Sequence, residues 1–434
     1  MKKSILFSLT CLLSLSVVQA QQSPKRTCGT GTLPDEYEHW LQPLIAKQEA
    51  AATAAKNSGV AVVYTIPVVF HVIHNGTNVG MSYNISDAQI LSQLAVLNED
   101  YRRLNADTTN TPSVFKPFAA DTEIQFCLAQ RDPNNNTTTG IDRINRSTAG
   151  FTAPPYTQSY IDQTIKPATI WNVNNYLNIW IVPDYTTFGF QLLGHATFPG
   201  GSGLSGLSGN FGTSTTDGVV VWYRACGRTG NLDPSYNKGR TLTHEIGHWL
   251  GLRHIWGDGN CATDYCNDTP TQQSENYSCP AFPSTSSCTG NAPNGDMFMN
   301  YMDYCDDVCL NTFTTNQKTR MITVLNNSPI RVNQRNSTAC SGVGLEESNV
   351  LDGISIFPNP ANANINLLFN QQSHQENISV RILNLLGAEL RRVTLDYNIS
   401  GNYAVNVSEL PEGFYVMEIS TSYGSKTEKF QIAR

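Results

Sequence analysis

Apolar positions change their rhythm several times along the chain, and each change marks an element. After Lys2 and Lys3, an unbroken apolar run extends from Ile5 to Val18 and ends at the small-residue stretch Val18-Gln19-Ala20. That order reads as an export signal over residues 1–20, too short to span a bilayer comfortably and without a stop-transfer flank. Between Asp35 and Lys47, Tyr37, Trp40, Leu41, Leu44 and Ile45 recur at helical spacing, which predicts a helix. An Ala-rich stretch follows and fades into Lys56-Asn57-Ser58-Gly59, a candidate processing site. The pattern then turns strand-like from Ala61 through Ile73. Ser86 and Gln89 make a capping box for a helix whose face carries Ile90, Leu94, Leu97, Tyr101 and Leu104. Further strands are expected at Glu123–Ala129, Leu177–Val182 and Gly218–Tyr223, with polar loops at Asn134–Gly140 and Gly200–Gly212. Beyond Cys340 the texture shifts again. Seven short alternating runs, Ile354–Phe357, Ile365–Phe369, Ile378–Leu383, Leu390–Leu395, Tyr403–Val407, Phe414–Ile419 and Lys429–Ile432, predict a small β-sandwich.

These changes divide the chain into a signal (1–20), a pro-segment (21–58), an α+β domain with a mostly parallel twisted sheet and one site-bearing helix (59–340), a linker (341–350) and the sandwich (351–434). A length of 434 residues suits more than one domain, and 40% apolar content supports real cores. The net charge of -7 and the absence of a basic stripe exclude nucleic acid as a partner. No second apolar run could cross a membrane, so the mature chain carries no transmembrane span. Ten of the eleven cysteines remain once the signal takes Cys11, and in an exported chain disulfides are expected. Six of them crowd between Cys261 and Cys309, while Cys28, Cys127, Cys226 and Cys340 are scattered.

The chemistry is concentrated in His244-Glu245-Ile246-Gly247-His248-Trp249-Leu250-Gly251-Leu252-Arg253-His254. Two histidines four apart lie on one helical face and can share one Zn²⁺. Gly251 can take a left-handed conformation, end the helix and return His254 to the same metal. Three His ligands leave the fourth position open, as catalysis requires and a structural site does not. Glu245, one step round the helix, stands where a general base for a zinc-activated water belongs. A bare His-Glu-x-x-His is weak evidence, and the extended form is far rarer. His71 and His74, in or beside a strand, read as structural.

With Met299-Asn300-Tyr301-Met302-Asp303-Tyr304 about fifty residues downstream, residues 28–335 resemble the metzincins, and within them the pappalysin family. The resemblance implies a metzincin catalytic domain and a zinc metalloendopeptidase acting on protein or peptide substrates. It places Met302 beneath the metal and makes Tyr304 a phenol that stabilises the tetrahedral intermediate. It implies a Ca²⁺ at Asp264, Asp268 and Thr269, for which Asx-type turns before Pro270 are the alternative. It suggests disulfides Cys261–Cys288 and Cys279–Cys309. The additional Cys266 and Cys305 then suggest a third bridge. It also implies that Cys28 caps the zinc in a latent precursor; a disulfide from Cys28 to Cys127, Cys226 or Cys340 is the other reading. The resemblance also implies a lean towards basic residues after the scissile bond, since relatives with that preference place an acid near the start of the segment before Cys309, and here Asp306 and Asp307 lie just upstream of Val308.

The last 80 residues resemble a type IX secretion sorting domain of the Bacteroidetes, through Phe357-Pro358-Asn359-Pro360-Ala361, Leu383-Asn384-Leu385-Leu386-Gly387, Leu410-Pro411-Glu412-Gly413-Phe414-Tyr415 and the ending from Lys426 to Arg434. A carbohydrate-binding or adhesive sandwich is the alternative. Together the resemblances imply export through the periplasm of a Gram-negative Bacteroidetes-type bacterium by the type IX machinery, to the medium or the cell surface. A substrate is expected to lie extended along an edge strand near Leu193–Phe198. The rival reading is a zinc-containing surface adhesin without activity, and the presence of Glu245 with every ligand weighs against it.

Overall fold

The computed structural model describes residues 25–55, 62–187, 189–200, 211–341, 354–369, 378–384, 387–396, 402–421 and 424–434. The expected signal, the processing stretch and most of the Gly-rich loop and the linker lie outside these residues. The chain divides into two units, residues 1–342 and 343–434.

The first unit opens with α1 (Asp35–Ala55). It runs beyond the predicted end at Lys47, because the Ala-rich stretch has the highest intrinsic helix propensity. Strand β1 (Tyr64–His74) follows and is buried without a break from Ile66 to Ile73. Such a continuous apolar run suits a strand flanked by parallel neighbours on both sides. It pairs in parallel with β2 (Ile124–Leu128), β3 (Ile141–Asn145) and β4 (Leu177–Val182). Beyond β4 come β6 (Val219–Trp222), parallel to it, and β5 (Gly194–Ala196), antiparallel to β6 and at the edge. β3 was not expected, since Ile141-Asp142-Arg143-Ile144-Asn145 is half-buried throughout and too polar to read as a core strand.

Helix α2 (Asp87–Tyr101) starts at Ser86, whose hydroxyl accepts the Gln89 backbone N–H. The expected reciprocal half of the capping box is absent. The Gln89 amide instead donates to the carbonyls of Tyr223 (3.1 Å) and Cys226 (2.9 Å). Leu104, expected on the buried face, falls past the helix end and is exposed. Helix α3 (Arg240–Trp249) is buried at every residue. Two unexpected helices follow, α4 (Thr315–Asn327), opened by a full capping box of Thr314 and Gln317, and α5 (Pro329–Arg335).

Disulfides join Cys261 to Cys288 and Cys279 to Cys309. The third expected bridge does not form. Cys266 and Cys305 are both buried free thiols in different surroundings, Cys266 among Asp264, Asp268, Arg320 and Glu38, and Cys305 among Asp303, Arg26, Asp306 and Asp296. The third bridge is instead Cys127–Cys340, which ties β2 to the end of the unit.

The second unit contains β7 (Ile354–Phe357), β8 (Asn364–Phe369), β9 (Ile378–Leu383), β10 (Glu389–Leu395), β11 (Asn402–Asn406), β12 (Gly413–Thr421) and β13 (Gly424–Ile432). They form two antiparallel sheets, β7-β8-β11 and β10-β9-β12-β13. Ile365, Leu367 and Val405 from one sheet and Val380, Met417 and Ile419 from the other share one core.

Candidate metal centre and its occupied cleft

Helix α3 carries His244, Glu245 and His248 and stops where the sequence supplies Gly251, whose φ of +88° turns the chain back. The turn brings His254 Nε2 to 3.1 Å from His248 Nε2, which is also 3.1 Å from His244 Nε2. Each far ring nitrogen is held. His244 Nδ1 donates to Tyr301 O (2.7 Å), His248 Nδ1 to Leu252 O (2.9 Å) and His254 Nδ1 to the Asp258 carboxylate. Protons on Nδ1 leave three bare Nε2 lone pairs facing one another, an arrangement that only a cation makes favourable. Nitrogens about 2.0–2.1 Å from one tetrahedral Zn²⁺ lie roughly 3.3 Å apart, so the triad fits the ion closely. Burial, followed by repulsion from the neighbouring imidazoles, holds His244 well below the ordinary range and His248 at about 3. Both are therefore neutral near pH 7, as ligands must be.

Glu245 sits beside this centre, almost wholly buried. Burial pushes its carboxyl up to about 7, against the lowering effect of hydrogen bonds from Cys28 and Thr30 and of the Arg26 charge. The carboxylate lies against the edge strand. A Cβ at Gly194 would come within 2.6 Å of its Cγ. Met302 packs beneath the helix against Gly247, where an added Cβ would meet its sulfur. The Tyr304 hydroxyl stands 3.2 Å from His254 Nε2. His71 is buried in β1 between Asp142 and Asn178, away from this centre.

The N-terminal segment fills the cleft. Cys28 brings its sulfur into the histidine cluster, all four ligand atoms lying within 4.8 Å of one another. It also bridges Gly194 of β5 in parallel register, with Gly29 N donating to Gly194 O (2.9 Å) and Leu193 N to Thr27 O (3.1 Å). Cys127 and Cys340 are bonded to each other, so no disulfide reaches Cys28 from them. Thr30 was not foreseen. Its hydroxyl donates to Glu245 (3.0 Å) and accepts the Ala196 N–H (2.8 Å). Two residues before Cys28, Arg26 enters a buried slot. There it donates to Asp307 Oδ1 (2.6 Å), Cys305 O (3.1 Å) and Thr241 Oγ (3.3 Å), and lies over the Tyr236 ring. The other Asp307 oxygen accepts Lys238 N (2.8 Å) and Arg240 N (3.2 Å) at the start of α3.

The model of the pregnancy-associated plasma protein-A peptidases matches residues 159–326. An extracellular metalloprotease of Colletotrichum graminicola is 32% identical over 321 residues, spanning 74% of this chain and 95% of that one. The chain belongs to this peptidase family. Mature mirolysin of Tannerella forsythia, solved with a cleaved peptide, is 44% identical with a TM-score of 0.55, covering 64% of this chain and 97% of that one. A point variant of promirolysin from the same organism is 41% identical with a TM-score of 0.56, covering 71% and 97%. A secretion-system C-terminal sorting domain matches residues 355–433. The protein is thus a secreted zinc metalloendopeptidase with a latent precursor form and a sorting domain, which displaces the adhesin readings. No described helix is long and apolar enough to cross a membrane.

The expected calcium residues, Asp264, Asp268 and Thr269, make two sets of hydrogen bonds. Asp264 is buried, and burial pushes its carboxyl up to about 7 against hydrogen bonds from Cys266 N and Thr269. The Thr269 hydroxyl faces three oxygens, Asp264 Oδ1 (2.9 Å), Asp264 Oδ2 (3.0 Å) and Cys266 O (2.6 Å), with one proton to give. Asp268 has partners of its own. Its oxygens accept Thr314 Oγ (2.7 Å) and Asn316 N (2.8 Å) and hold the start of α4, where four backbone N–H groups need acceptors.

Proposed function

We propose that peptide bonds are cut at the His244–His248–His254 centre, with Glu245 as general base and residues 25–55 as the block that keeps the precursor latent. The observation that carries this reading is the convergence of three proton-free Nε2 atoms beside a buried carboxylate. A Zn²⁺ held there supplies a Lewis acid for the scissile carbonyl and lowers the pKa of a nucleophilic water. Glu245 takes a proton from that water and returns it to the leaving amine. Tyr304 offers its hydroxyl to the developing oxyanion. Strand β5 offers its free edge to an extended substrate, in the place where Thr27–Thr30 now lie. With the metal bound in the precursor, Cys28 would supply a further ligand from its sulfur, while Thr30 occupies both the base and the edge-strand N–H.

Arg26 indicates the side-chain preference. A basic residue of the substrate takes its place against Asp307, because a buried carboxylate left without its cation is costly. Asp264, Thr269 and the Cys266 carbonyl hold a structural Ca²⁺, which relieves the crowding of their oxygens. Residues 355–433 direct export through a type IX system in a Bacteroidetes-type bacterium. The decisive experiment measures casein hydrolysis and zinc content together, before and after chelation and in His254→Ala. Activity that persists in metal-free protein would overturn the reading. Peptide pairs with Arg or Ala after the scissile bond test the slot, and Asp307→Asn is expected to remove the preference for Arg.

A further inference from the structure

Beyond the cleft, the N-terminal segment has a second seat. Helix α1 lays Tyr37, Leu41 and Ile45, with Leu33 just before it, on Phe198 and Val324. This is one stripe at a spacing of four. Phe198 follows the edge strand β5, and Val324 belongs to α4. Within the seat lies one carboxylate, Glu38, clasped by two guanidinium groups. Arg253 Nε donates to Glu38 Oε1 (2.8 Å), and Arg320 donates through Nη1 (2.7 Å) and Nη2 (2.5 Å). All three side chains are buried. Arg320 is fixed independently of the helix, since its Nε donates to Gly251 O at 2.7 Å. The nearest second acid to Arg253 is Asp35, 3.9 Å away and also on α1. Among the described residues, every carboxylate that pairs with these two arginines therefore comes from the pro-segment.

Loss of the segment leaves an apolar groove in which two guanidinium groups have lost the carboxylate that accepts their hydrogen bonds. Such a groove favours an acidic amphipathic helix of one spacing, and α1 is that helix. The candidate processing stretch at 56–59 lies after α1, so a cut there touches neither the groove nor the cleft contacts of Arg26, Cys28 and Thr30. We propose that the groove is a docking surface for the released helix itself, which stays bound after the chain is cut and holds the nicked protein latent until the peptide is degraded or displaced. The inference rests on the reading of residues 21–58 as the removed segment. It adds a recognition site separate from the metal centre.

The test is a binding measurement that needs no turnover. The processed enzyme, zinc-loaded and with its cleft filled by a small hydroxamate, is titrated against a fluorescein-labelled peptide of residues 33–55, which lacks Arg26, Cys28 and Thr30. Fluorescence anisotropy is expected to show saturable binding. A Glu38→Gln peptide is expected to bind about 100-fold more weakly, the scale of breaking one buried charge pair. Only the peptide is altered, so the enzyme's fold is not at stake. No saturable binding, equal affinity of the Glu38→Gln peptide, or equal affinity of a scrambled peptide of the same composition would each overturn the proposal. None of these outcomes depends on Glu245 or on peptidase activity.

Discussion

The two units bury opposite kinds of surface. Within the first, charged groups sit deep inside. Asp217 and Arg331 form a pair with no exposure on either side, stacked on Trp249. Asp100 is enclosed by Arg240, Tyr301 and Thr243. In the second unit every described buried residue is apolar or aromatic, and the charges of Arg381, Glu389 and Glu418 lie at the surface. Burying charge is unfavourable unless it is fully paired. The first unit accepts that cost where geometry must be held. Asp217–Arg331 braces the end of α3, since Arg331 Nε also donates to Trp249 O (3.0 Å), and the Asp100 cluster braces the helix's start and middle. A sorting domain has only to present a surface, and an apolar sandwich core is sufficient for that.

The sharpest way to test this contrast is to remove function from one unit at a time. Glu245→Ala is expected to reduce turnover by a factor of about 10²–10⁴ or more, the contribution of a general base, with zinc still bound. Removing residues 343–434 from processed protein is expected to leave turnover unchanged. Comparable losses from both would break the division of labour. Next in size is Arg331→Met. It leaves Asp217 buried without its cation and is expected to cost roughly 3–5 kcal/mol, read by calorimetry as a large fall in the unfolding temperature of the first unit alone.

A smaller effect comes from pH. Burial pushes Asp100 and Asp303 up to about 6, against the lowering by their hydrogen bonds and, for Asp100, by Arg240. Their folded values lie above their unfolded ones. Between about pH 4 and 6 the native state therefore keeps protons that the unfolded chain has released, and stability falls as pH rises through that window. The second unit's Glu389 is held at about 2 by hydrogen bonds from Arg392 and Arg381. Its contribution, screened at an exposed site, is present above the ordinary carboxylate range and is lost only as pH falls towards 2. Calorimetry of wild type beside Asp100→Asn and Asp303→Asn between pH 4 and 6 is therefore expected to show each variant gaining stability relative to wild type as pH rises, with the second transition level in all three. A constant difference from wild type across that window would show that the buried acids carry no pH-dependent cost. The smallest effect is expected from Arg381→Ala, less than about 1 kcal/mol for a half-exposed pair. A loss as large as that of Arg331→Met would erase the contrast.

How much of this was legible beforehand followed the range of the interaction. Local periodicity marked α1, β1, α2 and the alternating runs of the sandwich. It missed β3, whose polar residues make a strand only because β1 stands beside them, and it gave Gln89 a capping role that the carbonyls of Tyr223 and Cys226 took instead. Two cysteines beyond the family's pattern suggested a Cys266–Cys305 bridge, but the fold leaves both as buried free thiols and brings Cys127 and Cys340 together across 213 residues. Thr30, Arg26 and Glu38 carried no readable signal, because each acts through partners more than 150 residues away.

The sequence by itself determined the candidate ligand set. Two histidines one helical turn apart, a glycine able to turn left-handed and a third histidine beyond it follow from backbone geometry within eleven residues. Only the tertiary structure decided what those candidate ligands face. The Tyr301 carbonyl holds the Nδ1 proton of His244, β5 stands opposite Glu245, and the chain's own beginning fills the cleft. These are contacts between surfaces that meet only after folding. Burial makes them strong, and burial belongs to the assembled core and not to any stretch of sequence.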